Sequence, residues 1–223
     1  MDIGRITALA FRSAPGARPV SSQHLNLMGG LGIAGDAHSL PFSPRQLLLA
    51  GEGVYQDLAL PPHALKENVL LDIETAQLSS GTLLQLGAEV TIRLMFQCEA
   101  CAALDAHRPG LASRIAARRG ILALVVAGGS IRTGDIVRDL GQRMPAWPDD
   151  WRERIRRVLD AMPDAAVIEY RQLARLAGIQ STYCRAFPRL LLRLGPHYAA
   201  KAVRTGSPST AKRWDGQGLF DNA

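Results

Sequence analysis

Four short stretches of this sequence hold residue types that can do chemistry. Cys98-Glu99-Ala100-Cys101 places two thiols three residues apart, just past an apolar run. Thiolates bind soft metals, and they act as nucleophiles when their pKa is lowered. Gly35-Asp36-Ala37-His38 follows the glycine-rich approach Gly29-Gly30-Leu31-Gly32, which would let backbone come close to a ligand. Arg45-Gln46 opens the apolar run Leu47 to Ala50, setting a guanidinium at the mouth of a strand or helix, where it can hold phosphate or carboxylate in bidentate fashion. Lys66-Glu67-Asn68-Val69 is the fourth stretch. Each also fits a plain structural role: part of a zinc site or inert thiols for Cys98 and Cys101, a hydrogen-bonded loop residue for His38, a surface ion pair for Arg45, a turn for Asn68. Zinc needs four ligands, yet Cys184 lies far off and His107 is the only nearby histidine. The joint presence of the four stretches is what favours a site.

The elements that must position them are β-rich. Ile3 to Phe11 alternates apolar positions, and Thr82 to Leu86, Val90 to Phe96, Ile121 to Ala127 and Ile131 to Val137 are short, apolar and bounded by glycine or polar turns. Only Pro109 to Arg118 carries a short helical pattern. The expected fold for residues 1–140 is a mainly β barrel with minor helices. Residues 141–150, with two prolines and no periodicity, read as a linker. Beyond them the period changes. Trp151, Ile155, Val158 and Leu159 share one helical face, with Asp149 and Asp150 placed at its N-terminus. Tyr170 to Ala177 reads as a second helix stopped by Gly178, and Ser181 caps a third running through Arg185. This is the outline of a helix-turn-helix, so residues 151–223 are expected to form a small, mainly helical, winged-helix-like domain. Its tail, from about Gly206, is expected to be a wing or an ordered segment anchored by Trp214.

Charge divides at the same place. The 223 residues carry 26 Lys+Arg and 20 Asp+Glu. Residues 1–140 hold 12 of each sign, whereas residues 141–223 hold 14 basic and 8 acidic, so the whole +6 excess lies in the second part. A hydrophobic fraction of 47% excludes global disorder. The longest apolar run, Ile121 to Ala127, is 7 residues, far short of the roughly 18 that would span a bilayer. No membrane partner is therefore expected. Three cysteines cannot build a disulfide framework, and nothing at the start reads as a signal peptide. A cytoplasmic location is the expectation.

Taken in order, the chemical stretches resemble the MOSC domain, the family named after the C-terminal domain of molybdenum cofactor sulfurases. The resemblance covers residues 1–140. It rests on GDAH (Gly35 to His38), RQLLL (Arg45 to Leu49), KENV (Lys66 to Val69, against the family's usual G-E-N-L), CAAL (Cys101 to Leu104) and RRGILALVVAGGSIRTGDIV (Arg118 to Val137). Lys66 departs from the family's glycine. The resemblance implies a barrel that binds the molybdenum cofactor, molybdopterin, or carries sulfur as a cysteine persulfide. Cys101 would be the molybdenum ligand or sulfur carrier, with Cys98 as second thiol. Arg45 and Lys66 would meet the anionic pterin phosphate and Asn68 its polar edge, with Asp36 and His38 in the same site. Some family members reduce N-hydroxylated bases and amidoximes at molybdenum, which implies an electron-donor protein as partner.

The stretch Val167 to Gly178 resembles the start of the helix-turn-helix in alkyltransferases and alkyltransferase-like proteins that repair O-alkylated guanine in DNA. The likeness covers residues 147–204. It implies that Tyr170 sits by the phosphate of a flipped nucleotide and that Arg185 fills the gap in the stack, lowering the cost of extruding the base. Arg171, Arg175, Arg189 and Arg193 would add salt-sensitive phosphate contacts. Three departures stand against it. Tyr170 and Arg185 are one residue further apart than in that family, Pro188 is expected to end or kink the recognition helix, and Ala199 stands where the reactive cysteine would be. Alanine is no nucleophile, so self-alkylation is excluded. Without DNA, the segment would be a helical appendage with solvated arginines.

Sequence thus predicts a cofactor-binding or sulfur-carrying barrel, a molybdenum-dependent oxidoreductase or sulfur transferase, joined to a DNA-binding domain without alkyl-acceptor chemistry. The alternative is a non-catalytic DNA-binding adaptor or regulator whose barrel is a scaffold.

Overall fold

The computed structural model describes residues 1–221; Asn222 and Ala223, the end of the expected second domain, lie outside the described residues. The chain divides into two compact units, one of Met1–Pro41 with Arg45–Trp147, the other of Phe42–Pro44 with Pro148–Ala223.

The first unit runs β1 (Asp2–Phe11), β2 (Val20–Ser22), β3 (His24–Met28), β4 (Gly32–Ile33), β5 (Leu47–Gly51), α1 (Gly53–Leu58), β6 (Val69–Leu71), β7 (Thr82–Leu86), β8 (Val90–Gln97), α2 (Leu111–Ile115), β9 (Ile121–Ala127), β10 (Gly129–Arg132) and β11 (Ile136–Arg143). Strands pair in the order β11-β7-β8-β9-β5-β6-β1, and β1 pairs again with β11, so seven strands close into a barrel with β2 added outside β1. Closure leaves no free edge among the seven. Only the β5–β6 pair within the ring is parallel; such a pair needs a crossover, which α1 and the loop after it supply. The period-2 pattern explains the layering. Leu47 and Leu49 of β5 face a core that includes Ile6, Leu84, Ile92 and Val125, while Ala50 turns outward to a second cluster with Val54, Leu65, Leu104, Leu111 and Ile115. A strand buried on both faces reads as continuous apolar sequence, as LLLAG does.

Three expectations change here. The predicted strand 131–137 is two strands, because Gly134 takes φ 93° and Asp135 Oδ2 accepts from Arg132 N at 2.7 Å, turning the chain. β10 then leaves the barrel to pair with β3. The predicted linker 141–150 begins as the last residues of β11, and Trp147 within it is only 1% exposed, its backbone N–H donating to Ser80 Oγ at 2.7 Å. Finally, the glycine-rich turn at 29–32 has a packing role of its own. A Cβ on Gly29 would lie 3.1 Å from Val126 O, and one on Gly128 would lie 2.5 Å from Leu27 O, so the two glycine-rich turns pack on each other's backbone.

The second unit contains α3 (Trp151–Asp160), β12 (Ala166–Glu169), α4 (Tyr170–Leu176), α5 (Phe187–Leu194), α6 (Pro196–Lys201), β13 (Ala202–Val203) and β14 (Lys212–Arg213). Asp150 caps α3, its side chain accepting from Arg152 N at 2.9 Å. Ile155, Val158 and Leu159 are buried, and so is Arg154 at 2% exposure. Its guanidinium donates to the carbonyls of Ala177, Pro148 and Asp149 at 2.7, 3.0 and 2.6 Å, which ties the start of α3 to the end of α4. Gly178, at φ 66°, stops α4 as expected. Residues Ser181–Ala186 form a 3-10 turn in place of the expected third α-helix. The helix follows it, with Pro188 in its first turn. Proline's missing N–H costs nothing there, so Pro188 starts α5 and does not break it. β13 and β14 both pair with β12 in parallel, and the tail is anchored at Trp214, which is 8% exposed and whose backbone N–H donates to Val167 O at 2.9 Å.

Candidate functional site

On the face of β5 and β9 turned away from the barrel core, the cross-strand pair Leu48 and Leu122 floors a cavity of about 40 Å³. Around it stand Arg12, Arg45, Lys66 and Arg119, with His38, Asn68 and Cys98. These residues come from the ends of strands far apart in sequence. Arg12 follows β1, Arg45 precedes β5, Asn68 precedes β6, Cys98 follows β8, and Arg119 stands two residues before β9. The structure therefore brings together Cys98, His38, Arg45, Lys66 and Asn68 as cavity lining.

Cys101 is held beside the cavity through Arg119, whose Nη1 donates to Cys101 Sγ at 3.1 Å and to Glu99 O at 2.7 Å. Burial, the largest single influence, would raise this thiol. The charge of Arg119, a hydrogen bond from the Ala103 N–H, the Arg119 hydrogen bond and the charge of Lys66 together outweigh it, and the Cys101 pKa lies below the usual thiol range. Cys98 is buried at 4% exposure, its N–H donating to Gly120 O at 2.8 Å. Gly120 takes φ 120°, and a Cβ there would collide with Leu49 O. Only glycine lets β9 begin this close to β5, and Arg119 is placed by it.

Asp36 and Asn68 act as struts. Asp36 Oδ2 accepts from Arg12 N at 2.8 Å and from Asn68 Nδ2 at 3.3 Å, and its Oδ1 accepts from His38 N at 2.7 Å while lying 3.2 Å from His38 Nδ1. Burial pushes this carboxyl up, but the hydrogen bonds from His38 and Arg12 and the Arg12 charge carry it below the usual range. Asn68 also donates to Ala10 O at 3.2 Å and accepts from Leu48 N at 3.1 Å, so its amide stitches β1, β5 and the approach to β6 together. Gln46 does the same between β5 and β9, accepting from Val125 N at 2.9 Å.

The loop before Asn68 is braced from behind. Buried Glu67 accepts from Tyr55 OH at 2.5 Å and lies 3.3 Å from His63 Nδ1, whose Nε2 is 2.8 Å from Ser21 Oγ. Burial, then the Glu67 charge, pushes the Tyr55 phenol up. Lys66 takes φ 58°, a left-handed conformation that favours glycine and is uncommon for lysine. Lys66 is thus held in a strained backbone that presents its ammonium to the cavity.

Sequence reading missed Arg12 and Arg119. Arg119 lay within the quoted glycine motif, and its position before Gly120 was the available signal; Arg12 carried none. The Nε of each is buried with no hydrogen-bond partner, and burial lowers the Arg12 pKa despite Asp36 and Glu67. Unmet buried donors beside a half-buried thiol fit an anionic oxygen group next to a soft ligand atom. Among the described residues no three His, Cys, Asp or Glu side chains come together as a metal site, so the four-ligand zinc alternative for Cys98 and Cys101 is not assembled.

In the second unit, Tyr170 and Arg185 line one cavity of about 380 Å³ with Cys184, Pro188 and Arg204. Tyr170 packs edge-on against Phe187, with centroids 5.5 Å apart. Arg171, Arg185 and Arg189 are exposed. Arg175 is half-buried, and burial lowers its pKa. No helix among the described residues is long and apolar enough to cross a membrane.

No curated protein matches the chain significantly. Solved structures do. The YUAD protein from Bacillus subtilis is 17% identical with TM-score 0.52, covering 60% of this chain and 93% of its own. YiiM from Geobacillus stearothermophilus is 13% identical with TM-score 0.51, covering 85% of this chain and 100% of its own. A hypothetical protein is 18% identical with TM-score 0.52, covering 87% and 92%. At these identities the likeness is one of fold. Residues 45–138, which contain β5 to β9 and supply Arg45, Lys66, Asn68, Cys98, Cys101 and Arg119, match the MOSC domain family.

Proposed function

We propose that the barrel handles the molybdenum cofactor or the sulfur destined for it, with Cys101 as the metal-ligating or sulfur-carrying thiolate. The observation that carries this reading is Arg119, which lines the cationic cavity and donates to Cys101 Sγ at 3.1 Å. One guanidinium thus couples an anion seat to a soft nucleophile. Arg12, Arg45 and Lys66 would hold the cofactor's phosphate, while Asp36 and Asn68 position them. The cavity volume of about 40 Å³ suits an anionic head group, so the pterin itself would lie outside it. When bound, the cofactor supplies oxygen-atom and electron transfer. Reduction of N-hydroxylated substrates, with electrons from a partner protein, is the activity that the family resemblance favours. The test is metal and pterin analysis of the purified protein. Wild type should carry molybdenum and pterin together, and Cys101→Ala should lose the metal. Equal metal in both would remove Cys101 as ligand.

A second reading concerns the basic unit. The convergence of Tyr170 and Arg185 on one cavity favours DNA binding there. A gel-shift titration at two salt concentrations tests it; binding should weaken steeply with salt, and no binding at either would remove DNA from the account. An adaptor with an inert barrel would bind DNA equally well after loss of both Cys98 and Cys101.

A further inference from the structure

The cavity beside Cys101 has room for only about three waters, taking 10–15 Å³ for each. That is room for one small oxyanion head group. Its charged lining is cationic throughout: Arg12, Arg45, Lys66 and Arg119, with His38 oriented by Asp36. Two of these guanidinium groups keep a buried Nε with no hydrogen-bond partner. Both side chains line the cavity, and an oxyanion seated there would gain charge-assisted contacts from their guanidinium groups. Arg119 also touches Cys101 Sγ directly. The oxyanion seat and the thiolate therefore share one side chain, so a molecule that occupies the seat lies one guanidinium away from the sulfur.

We propose that Cys101 takes sulfane sulfur from an anionic donor of the thiosulfate or thiosulfonate class, whose sulfonate end is seated by Arg12, Arg45, Lys66 and Arg119. This rests on the reading of Cys101 as the reactive thiolate. The Cys101 thiolate attacks the outer sulfur of thiosulfate, forming a new sulfur–sulfur bond. The bond from that outer sulfur to the sulfonate sulfur breaks, its electron pair leaves with sulfite, and Cys101 becomes a persulfide anion. Two negative charges enter on thiosulfate and two leave on sulfite, so no outside oxidant, reductant or proton is needed. The developing charge on sulfite falls among the cations, where it is stabilised most. A second nucleophile such as cyanide removes the outer sulfur as thiocyanate and restores the thiolate.

The test uses the full chain, reduced and then freed of reductant, incubated with thiosulfate. Peptide mass analysis should find one added sulfur atom on Cys101 and none on Cys184, and cyanide should then release thiocyanate. Inorganic phosphate, which shares the oxyanion chemistry, should slow the loading. Lys66→Met removes one charge at an exposed position, and thiosulfate loading should fall about tenfold more than alkylation of Cys101 by neutral iodoacetamide does. Loading that is equal in Lys66→Met and wild type, or indifferent to phosphate, overturns the sulfonate seat. If Cys101 alkylates faster than Cys184 but never loads from thiosulfate, the anionic donor is wrong and the reactive thiolate stands. If it neither loads nor alkylates faster, both readings fall.

Discussion

Each unit of the molecule places a cysteine beside an arginine-lined cavity, and the two cysteines are shifted in opposite directions. Cys101, in the unit with no net charge over residues 1–140, is lowered because Arg119 bonds its sulfur directly and Lys66 stands near. Cys184, in the basic unit, is raised. Burial dominates there, the charge of Arg171 offsets only part of it, and its thiol donates to Tyr170 O at 3.4 Å. A thiol that donates to a carbonyl is held in its neutral form; one that accepts from a guanidinium is held as thiolate. Net charge of a segment therefore says little about the reactivity of a cysteine in it. The placement of one donor decides.

The comparison extends to where each unit puts its cations, and four measurements would break or sharpen it. Among the described residues of the basic unit the one buried arginine is a brace, so Arg154→Met, which leaves three carbonyls unmet, should cost about 3 kcal/mol. A urea titration should show that loss while the alkylation rate of Cys101 stays the same; a parallel fall in that rate would mean that the cavity depends on the brace.

The barrel too buries an arginine, Arg93, which donates to Pro145 O at 2.7 Å, but beside its cavity the brace is an anion. Asp36→Asn places an amide against the donors from Arg12 and His38 and should cost about 2 kcal/mol. The sign of its pH dependence follows from its lowered folded pKa. The stabilisation is present above the unfolded carboxylate value of about 3.9 and is lost as pH falls through the folded value. Acid titrations of wild type and Asp36→Asn should therefore converge at low pH, and parallel curves would count against this role.

The thiols themselves give the next effect. At pH 7 Cys101 should alkylate about tenfold faster than Cys184, and Arg119→Leu should remove most of that difference. Faster reaction at Cys184 would end the comparison. The smallest effect belongs to Lys66→Gly, which relieves the left-handed backbone at φ 58°. It should stabilise by about 1 kcal/mol, raising Tm by roughly 2–4 °C, while phosphate protects Cys101 from alkylation less well. A stability gain joined to a weaker anion seat would show that the lysine is kept for its charge.

Much of the barrel was legible because strand signals are local. Thr82 to Leu86 and Val90 to Phe96 alternate or run apolar between glycines, and the chain folds there as expected. The break at Gly134 was missed because an apolar run on either side of a turn looks like one strand until β10 finds β3 as its partner. Pro188 misled for a related reason: its effect depends on whether it stands in the first turn of a helix or the middle, and the start of α5 is set by packing of Phe187 and Leu191. In the site, the motif residues Arg45, Lys66, Asn68 and Cys98 do meet. Asn68, however, spends its amide on Ala10, Asp36 and Leu48, a use that its sequence neighbours do not reveal.

By itself the sequence determined the alternation of strands, the helical periodicity after residue 150, the partition of charge and the order of the chemical stretches. These properties need only neighbours a few residues away. Tertiary structure alone decided that Arg12 and Arg119, 107 positions apart in the chain, line one cavity beside a thiol. It also decided that Arg154 is buried and Arg185 exposed. The physical reason is that a side chain's charge is written in the sequence, whereas its solvation and its partners exist only once the strands have closed.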